Sequence, residues 1–166
     1  MKTNLMFDFS VDKENKKVKV QREFSAPVTS VWAAWTQPEL LDQWWAPKPW
    51  KTETKSMDFR EGGTWFYSMV GPEGERNFSR ADYRSIFPEE NFASRDTFCD
   101  QDGNIISDFP GSDWKVTFSG AGDITTVNVE ILHDSPEDLE KILEMGFREG
   151  FSMALENLDR LLEQKK

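Results

Sequence analysis

Apolar and polar residues alternate along the first part of the chain. Leu5, Phe7, Phe9 and Val11 share one face, and after the polar turn from Asp12 to Lys17 the alternation resumes through Val18, Val20, Arg22 and Phe24. A period of two predicts a β-hairpin, because successive side chains of a strand point to opposite faces. Ser25-Ala26-Pro27 then interrupts the pattern, and Val28, Val31, Trp32 and Trp35 recur at helical spacing. That spacing predicts a short helix with Ser25 as N-cap and Pro27 in its first turn. Thr36-Gln37-Pro38 breaks it, and a second short helix carries Leu40, Leu41, Trp44 and Trp45 until Pro47 and Pro49 end it, since proline lacks an amide donor.

From Trp50 to Ile131 the pattern is that of a meandering antiparallel sheet. Turn chemistry at Glu61-Gly62-Gly63, Gly71-Pro72-Glu73-Gly74, Pro88-Glu89-Glu90, Asp102-Gly103-Asn104, Pro110-Gly111 and Gly120-Ala121-Gly122 delimits strands near 51–60, 64–70, 75–87, 91–99, 113–119 and 124–132. Alternation groups Trp65 with Tyr67 and Met69, Trp114 with Val116 and Phe118, and Val127 with Val129 and Ile131, so one sheet face is heavily aromatic. After Ser135-Pro136-Glu137-Asp138 the period changes, and Leu139, Leu143, Phe147, Phe151, Ala154, Leu158 and Leu162 form a stripe at spacings of three and four. The pattern predicts one long amphipathic helix from Ser135 to Gln164, with Gly146, Gly150, Ala154 and Asn157 near the centre of its buried stripe. Glycine inside a helix costs about 0.5–1 kcal/mol relative to alanine. Two glycines there imply either close approach to the sheet or an internal space.

Composition narrows the function. The 166 residues carry 30 acidic and 20 basic side chains, a formal charge of −10, which disfavours nucleic acid as a partner. A single domain of this length buries roughly two-thirds of its unfolded surface and needs no disulfide or metal for its core. No apolar run approaches the roughly 18 residues of a membrane span, and Met1 to Phe9 is too short and mixed for a signal peptide, so a cytoplasmic location is expected. Cys99, the single cysteine, agrees with a reducing compartment. The excess acidity concentrates between Glu89 and Asp113, where seven acids face Arg95 alone, and reads as a solvated hairpin on the outside of the sheet.

Four segments, in order, resemble a known family. They are Arg22-Glu23-Phe24-Ser25-Ala26-Pro27 leading to Val31-Trp32-Ala33-Ala34-Trp35-Thr36; Pro38-Glu39-Leu40-Leu41 leading to Trp44-Trp45-Ala46-Pro47; Asp58-Phe59-Arg60-Glu61-Gly62-Gly63-Thr64-Trp65; and Gly146-Phe147-Arg148-Glu149-Gly150-Phe151 leading to Leu155 and Leu158. Spanning roughly residues 18–162, they resemble the heat-shock protein 90 ATPase activator homologue family of the SRPBCC/START-like helix-grip superfamily. The family tends to have glycine just before the aromatic at Tyr83, where this chain has Ala81-Asp82. The resemblance implies an α+β helix-grip fold, a curved antiparallel sheet wrapped around a long C-terminal helix with two short helices after the first long strand. It implies one domain over residues 1–166, with a hairpin strand at residues 3–12 as an extension. Superfamily members commonly enclose an apolar cavity between sheet and helix, and the heat-shock activator itself partners a chaperone. Fold alone does not choose between such roles.

Three roles stay open. A binding role asks for an aromatic cavity with a few polar handles, and Trp45, Trp65, Tyr67, Met69, Tyr83, Trp114, Val129, Phe147, Gly150, Phe151, Ala154 and Asn157 are the candidates to line it, with Met153 as a further filler. The expected ligand is small, neutral, apolar or aromatic. An interaction role, in which the partner is a chaperone, would use an exposed patch of Trp32, Trp44 and Trp50. Catalysis, of the cyclase or hydrolase type that the superfamily resemblance implies, has the thinnest support. His133, the only histidine, reads as an exposed turn residue, and the acids around Cys99 disfavour its thiolate. Asp100, Asp102, Asn104 and Asp108 fit a hairpin turn better than a calcium loop. No pattern asks for a cofactor or a metal, and either a monomer or a homodimer fits.

Overall fold

The computed structural model describes residues 5–165. Eight antiparallel strands form one curved sheet: β1 (Phe7–Asp12), β2 (Lys17–Phe24), β3 (Lys51–Met57), β4 (Thr64–Val70), β5 (Arg76–Phe87), β6 (Asn91–Cys99), β7 (Ser112–Ala121) and β8 (Ile124–His133). Their spatial order is β1-β2-β8-β7-β6-β5-β4-β3. Helices α1 (Val28–Thr36) and α2 (Pro38–Trp44) carry the chain from β2 to the far edge at β3, and α3 (Pro136–Glu144) and α4 (Phe147–Gln164) follow β8. The chain is thus an α+β helix-grip fold. Residues 3 and 4 of the expected N-terminal strand lie outside the described residues. Among the described residues no helix is long and apolar enough to cross a membrane.

Several ends fall where local chemistry directs them. Gln37 is extended between α1 and α2, with φ −108° and ψ 128°, because the following Pro38 disfavours helix at that position. Ser135 caps α3, its Oγ accepting from the amide of Asp138 at 3.1 Å. Ser25 does not cap α1. The helix begins at Val28 with Pro27 in the N-cap position and no side-chain cap. Ala81 and Asp82 pair regularly with Asp96 and Arg95, and β5 is bulged just beyond them, between Tyr83 and Ser85, without a glycine.

The C-terminal region departs from the single helix that periodicity predicts. Helix α3 ends at Glu144 with Met145 as its C-cap, and Gly146 adopts a left-handed conformation with φ +89° before α4 begins at Phe147. The Gly146 amide donates to the carbonyl of Leu143 at 3.0 Å, a glycine stop of the kind that satisfies the last carbonyls of a helix. Gly146 is therefore a hinge between two helices rather than an interior helical residue. Helix α4 is fastened to the sheet by Arg22 of β2, which is 7% exposed and reaches Glu156 at 3.4 Å and Asp159 at 3.6 Å. A buried ion pair of this kind is costly to break from one side, about 3–5 kcal/mol.

The N-terminal hairpin buries less than its alternation predicts. Phe9 is covered by Phe147 and by the Arg148 guanidinium 4.9 Å from its ring centroid, whereas Phe7 and Val11 are exposed. The tryptophans that an interaction role would have to expose are largely covered. Trp44 is buried with its Nε1 donating to the carbonyl of Ala34 at 2.8 Å, Trp32 packs against Phe59, Phe92 and Phe118, and Trp50 is only half-exposed.

The hinge glycine and the glycine inside α4 behave oppositely on substitution. Gly146→Ala forces a Cβ into a left-handed conformation and lowers unfolding free energy by about 1–2 kcal/mol. Gly150→Ala places its Cβ 3.6 Å from Pro47 Cγ, an ordinary contact, and raises stability by about 0.5–1 kcal/mol. Urea denaturation of both variants measures the contrast.

Candidate functional site

The strand register and the α3–α4 hinge together leave a cavity of about 320 Å³. Its floor is the inner face of β4 to β8, its roof is α3 with the first turn of α4, and Pro47 and Pro110 stand at its edges. Aromatic rings dominate the walls. Trp114 of β7 meets Phe151 edge-on at 5.5 Å and Phe147 at 6.0 Å, and those two phenyl rings stack at 5.3 Å. Trp45 lies 5.9 Å from Trp114 and donates its Nε1 hydrogen to the Tyr67 hydroxyl at 3.0 Å. That bond satisfies the indole N–H, which burial would otherwise strand.

Cross-strand register supplies the polar side. Asp96 of β6 pairs with Ser112 of β7, and Ser112 pairs with His133 of β8, so the three side chains form one row on one face of the sheet. All three line the cavity. Asp96 Oδ1 accepts from Ser94 Oγ at 2.7 Å, and Oδ2 has no hydrogen-bond or ion-pair partner among the described residues. The solvent-accessible part of Asp96 opens into the cavity, and removal from bulk water raises its carboxyl to about 7, a rise that Asp82 and Asp113 reinforce and Ser94 and Arg95 oppose. Arg95 itself, one residue along, pairs with Asp134 at 2.8 Å and Asp113 at 3.4 Å.

His133 is buried, at 2% exposure, rather than lying in an exposed turn. Both ring nitrogens lack hydrogen-bond partners among the described residues, and burial holds the imidazole below its ordinary value against the pull of Asp138 and Asp134. Ser112 Oγ accepts from Trp114 Nε1 at 3.1 Å and makes no bond to the imidazole. With two strand spacings of about 4.8 Å between them, Asp96 and His133 stand roughly 10 Å apart. The row is therefore not a nucleophilic relay. Cys99 is buried with its thiol raised to about 11 by burial, the unreactive state its acidic neighbours suggest. The Asp100 carboxylate accepts from the amides of Asp102 and Asn104, both at 2.9 Å, and so closes the hairpin turn.

Of the residues singled out from the sequence, Trp45, Tyr67, Met69, Trp114, Phe147, Gly150 and Phe151 converge on this cavity. Trp65 and Tyr83 instead border a separate space of about 20 Å³, little more than one water's worth. Val129 and Ala154 are packed in the core, and Met153 points outward at 43% exposure. Asn157 bonds neither the sheet nor the cavity. Its Nδ2 donates to the carbonyls of Ala46 at 3.1 Å and Trp44 at 3.4 Å, tying α4 to the end of α2. The sequence reading missed Asp96, Ser112 and His133. The acids from Glu89 to Asp113, expected on the outside of the sheet, do not all lie there, since Asp96 lines the cavity. The signal was available: counting by two from Phe92 reaches Asp96, and counting by two from Ile131 reaches His133.

A family model described as Activator of Hsp90 ATPase homolog 1-like protein matches residues 25–163. Among solved structures, protein Ms6760 from Mycobacterium smegmatis is 30% identical with a TM-score of 0.87 over 95% of this chain and 96% of its own. A protein from Arthrobacter aurescens is 27% identical with a TM-score of 0.90 over 95% and 91%. CalU16 from Micromonospora echinospora shares the fold at 20% identity, with a TM-score of 0.63 over 96% and 87%. Comparison with curated proteins gives no match.

The raised carboxyl makes stability depend on pH in a defined direction. A folded-state value of about 7, above the ordinary 3.8, leaves Asp96 neutral in both states below about pH 4. Between there and pH 7 the unfolded chain ionises first, and the folded state loses stability relative to it as pH rises. Asp96→Asn removes this cost, so the variant is more stable than the parent by roughly 2–4 kcal/mol at pH 8, and the gain shrinks towards zero at pH 4. Denaturant unfolding at pH 4, 6 and 8 measures the difference.

Proposed function

The chain belongs to the Activator of Hsp90 ATPase homolog 1-like family, and from that premise we propose that it binds a small, mainly aromatic molecule in the cavity between its sheet and its C-terminal helices. The observation that carries this reading is the cavity itself. At about 320 Å³ it falls at the small end of the roughly 300–1,000 Å³ of ligand pockets, and its walls combine six aromatic side chains with a polar edge that includes Asp96, Ser112 and His133. A space of this size walled by Trp45, Tyr67, Trp114, Phe147 and Phe151 offers flat rings to an aromatic guest on several sides.

Catalysis is a weaker reading of the same site. Asp96 and His133 are titratable groups with perturbed values at its polar edge, yet they are not hydrogen-bonded to each other, and the one hydroxyl that bonds Asp96, that of Ser94, does not line the cavity. Chaperone docking would be served by a contiguous exposed apolar face. Here Trp44 is buried and Trp32 is packed on three phenylalanine rings.

Native mass spectrometry of the purified protein tests the binding role. The expected spectrum contains a non-covalent complex with a small molecule, or acquires one on incubation with naphthalene-type compounds. Gly150→Leu puts a side chain into the cavity and abolishes the complex while circular dichroism stays unchanged. A protein that carries nothing and takes up no aromatic compound counts against the reading.

A further inference from the structure

Building on the ligand-binding reading of the cavity, we propose that the occupant carries a protonated amine on an aromatic body, with Asp96 as its counter-ion. Three independent features converge on this chemistry. The first is the charge pattern of the lining: among the described residues that line the cavity, Asp96 is the only acid and there is no lysine or arginine. A carboxylate-bearing ligand would find no cation there, whereas an ammonium would find one carboxylate with an oxygen, Oδ2, that no protein group occupies.

The second is the placement of that carboxylate among rings. Asp96 pairs with Ser112, and Trp114 lies two residues further along the same face of the neighbouring strand. Diagonal neighbours of this kind stand about 7–8 Å apart, close enough for one small ligand to touch both. Tyr67 and Tyr83 also lie within the carboxylate's field, which helps burial hold both hydroxyls protonated. A carboxylate beside several ring faces suits a cation twice over, through charge pairing and through attraction to the electron-rich faces. The third feature is the lack of a competing internal cation. Arg95 is engaged with Asp134 and Asp113, and His133 is held neutral by burial. The surplus of acidic residues over basic ones, 30 against 20, favours entry of a cation in addition.

The groups that set the charge state of Asp96 are Asp82 and Asp113, which oppose its ionisation, Arg95, which favours it, Tyr67, Tyr83 and Cys99, which stay protonated, and neutral His133. A bound ammonium would add the missing favourable charge.

Three near-isosteric probes separate this proposal from the binding role on which it rests: 1-naphthylmethylamine, 1-ethylnaphthalene and 1-naphthoate. Binding is followed at pH 8 by shifts of the Trp114 and Trp45 indole N–H signals in nuclear magnetic resonance titrations. The amine is expected to bind about tenfold or more tightly than the ethyl compound, with the carboxylate weakest. Asp96→Asn is expected to lower the affinity for the amine about tenfold and to leave that for 1-ethylnaphthalene within about twofold. If 1-ethylnaphthalene binds and the amine binds no better, or if Asp96→Asn leaves amine binding intact, the amine proposal is overturned and the cavity reading stands. If no probe shifts either indole, both fall.

Discussion

The structure depends on how one tryptophan is placed. Trp45, at the C-terminal end of α2, lies within 6.5 Å, centroid to centroid, of rings on every surrounding layer: Trp35 of α1, Trp44 of α2, Trp65 and Tyr67 of β4, Trp114 of β7 and Phe151 of α4. Edge-to-face contacts of this kind add about 0.5–1.5 kcal/mol each beyond the area they bury. The polar end of the indole is not wasted, since its N–H is accepted by the Tyr67 hydroxyl. One side chain thus joins the short helices, the sheet and the C-terminal helix. It also forms one boundary of the cavity, so fold and site share the same contact.

Close packing on one side of Trp45 and open space on the other have a common origin. Asn157 ties α4 to the carbonyls of Trp44 and Ala46, which fixes the C-terminal part of that helix against α2, and Arg22 holds it to β2. At the opposite end the chain enters α4 through Gly146, whose left-handed conformation redirects α3 away from the axis of α4. The two helices then cover the sheet without filling it, and Gly150 leaves the gap unoccupied. The small residues of the helix stripe serve different ends: Gly146 turns the chain, Gly150 leaves space and Ala154 packs against the core.

The cavity's electrostatics follow from its enclosure. A carboxyl on an outer strand face would be hydrated and ordinary. On the inner face, Asp96 loses bulk water, has one hydroxyl as donor and feels Asp82 and Asp113, so its proton is held to about 7. His133 responds in the opposite sense to the same cause, because desolvation disfavours the charged form of either group. Tyr67 and Tyr83 stay neutral for the same reason. The site thereby concentrates its one ionisable carboxylate among rings.

Much of this was determined by the sequence. Period-two alternation and turn residues located the strands to within a few residues, proline separated α1 from α2, and four ordered motifs identified the family, because these signals are local and each is enforced by backbone geometry. Seven of the residues that line the cavity, five aromatics with Met69 and Gly150, were also legible from their faces. The helix break was hidden because Leu143, Phe147 and Phe151 keep a spacing of four across it, and hydrophobic period carries no record of a backbone angle at Gly146. Other properties exist only in three dimensions. Asp96 read as one more acid in a solvated run until pairing with Ser112 and His133 turned it inward, and Asn157 found its partners 111 and 113 residues away in the chain. Register between distant strands decides which polar groups share a desolvated space, and no local pattern encodes which distant residue lies opposite.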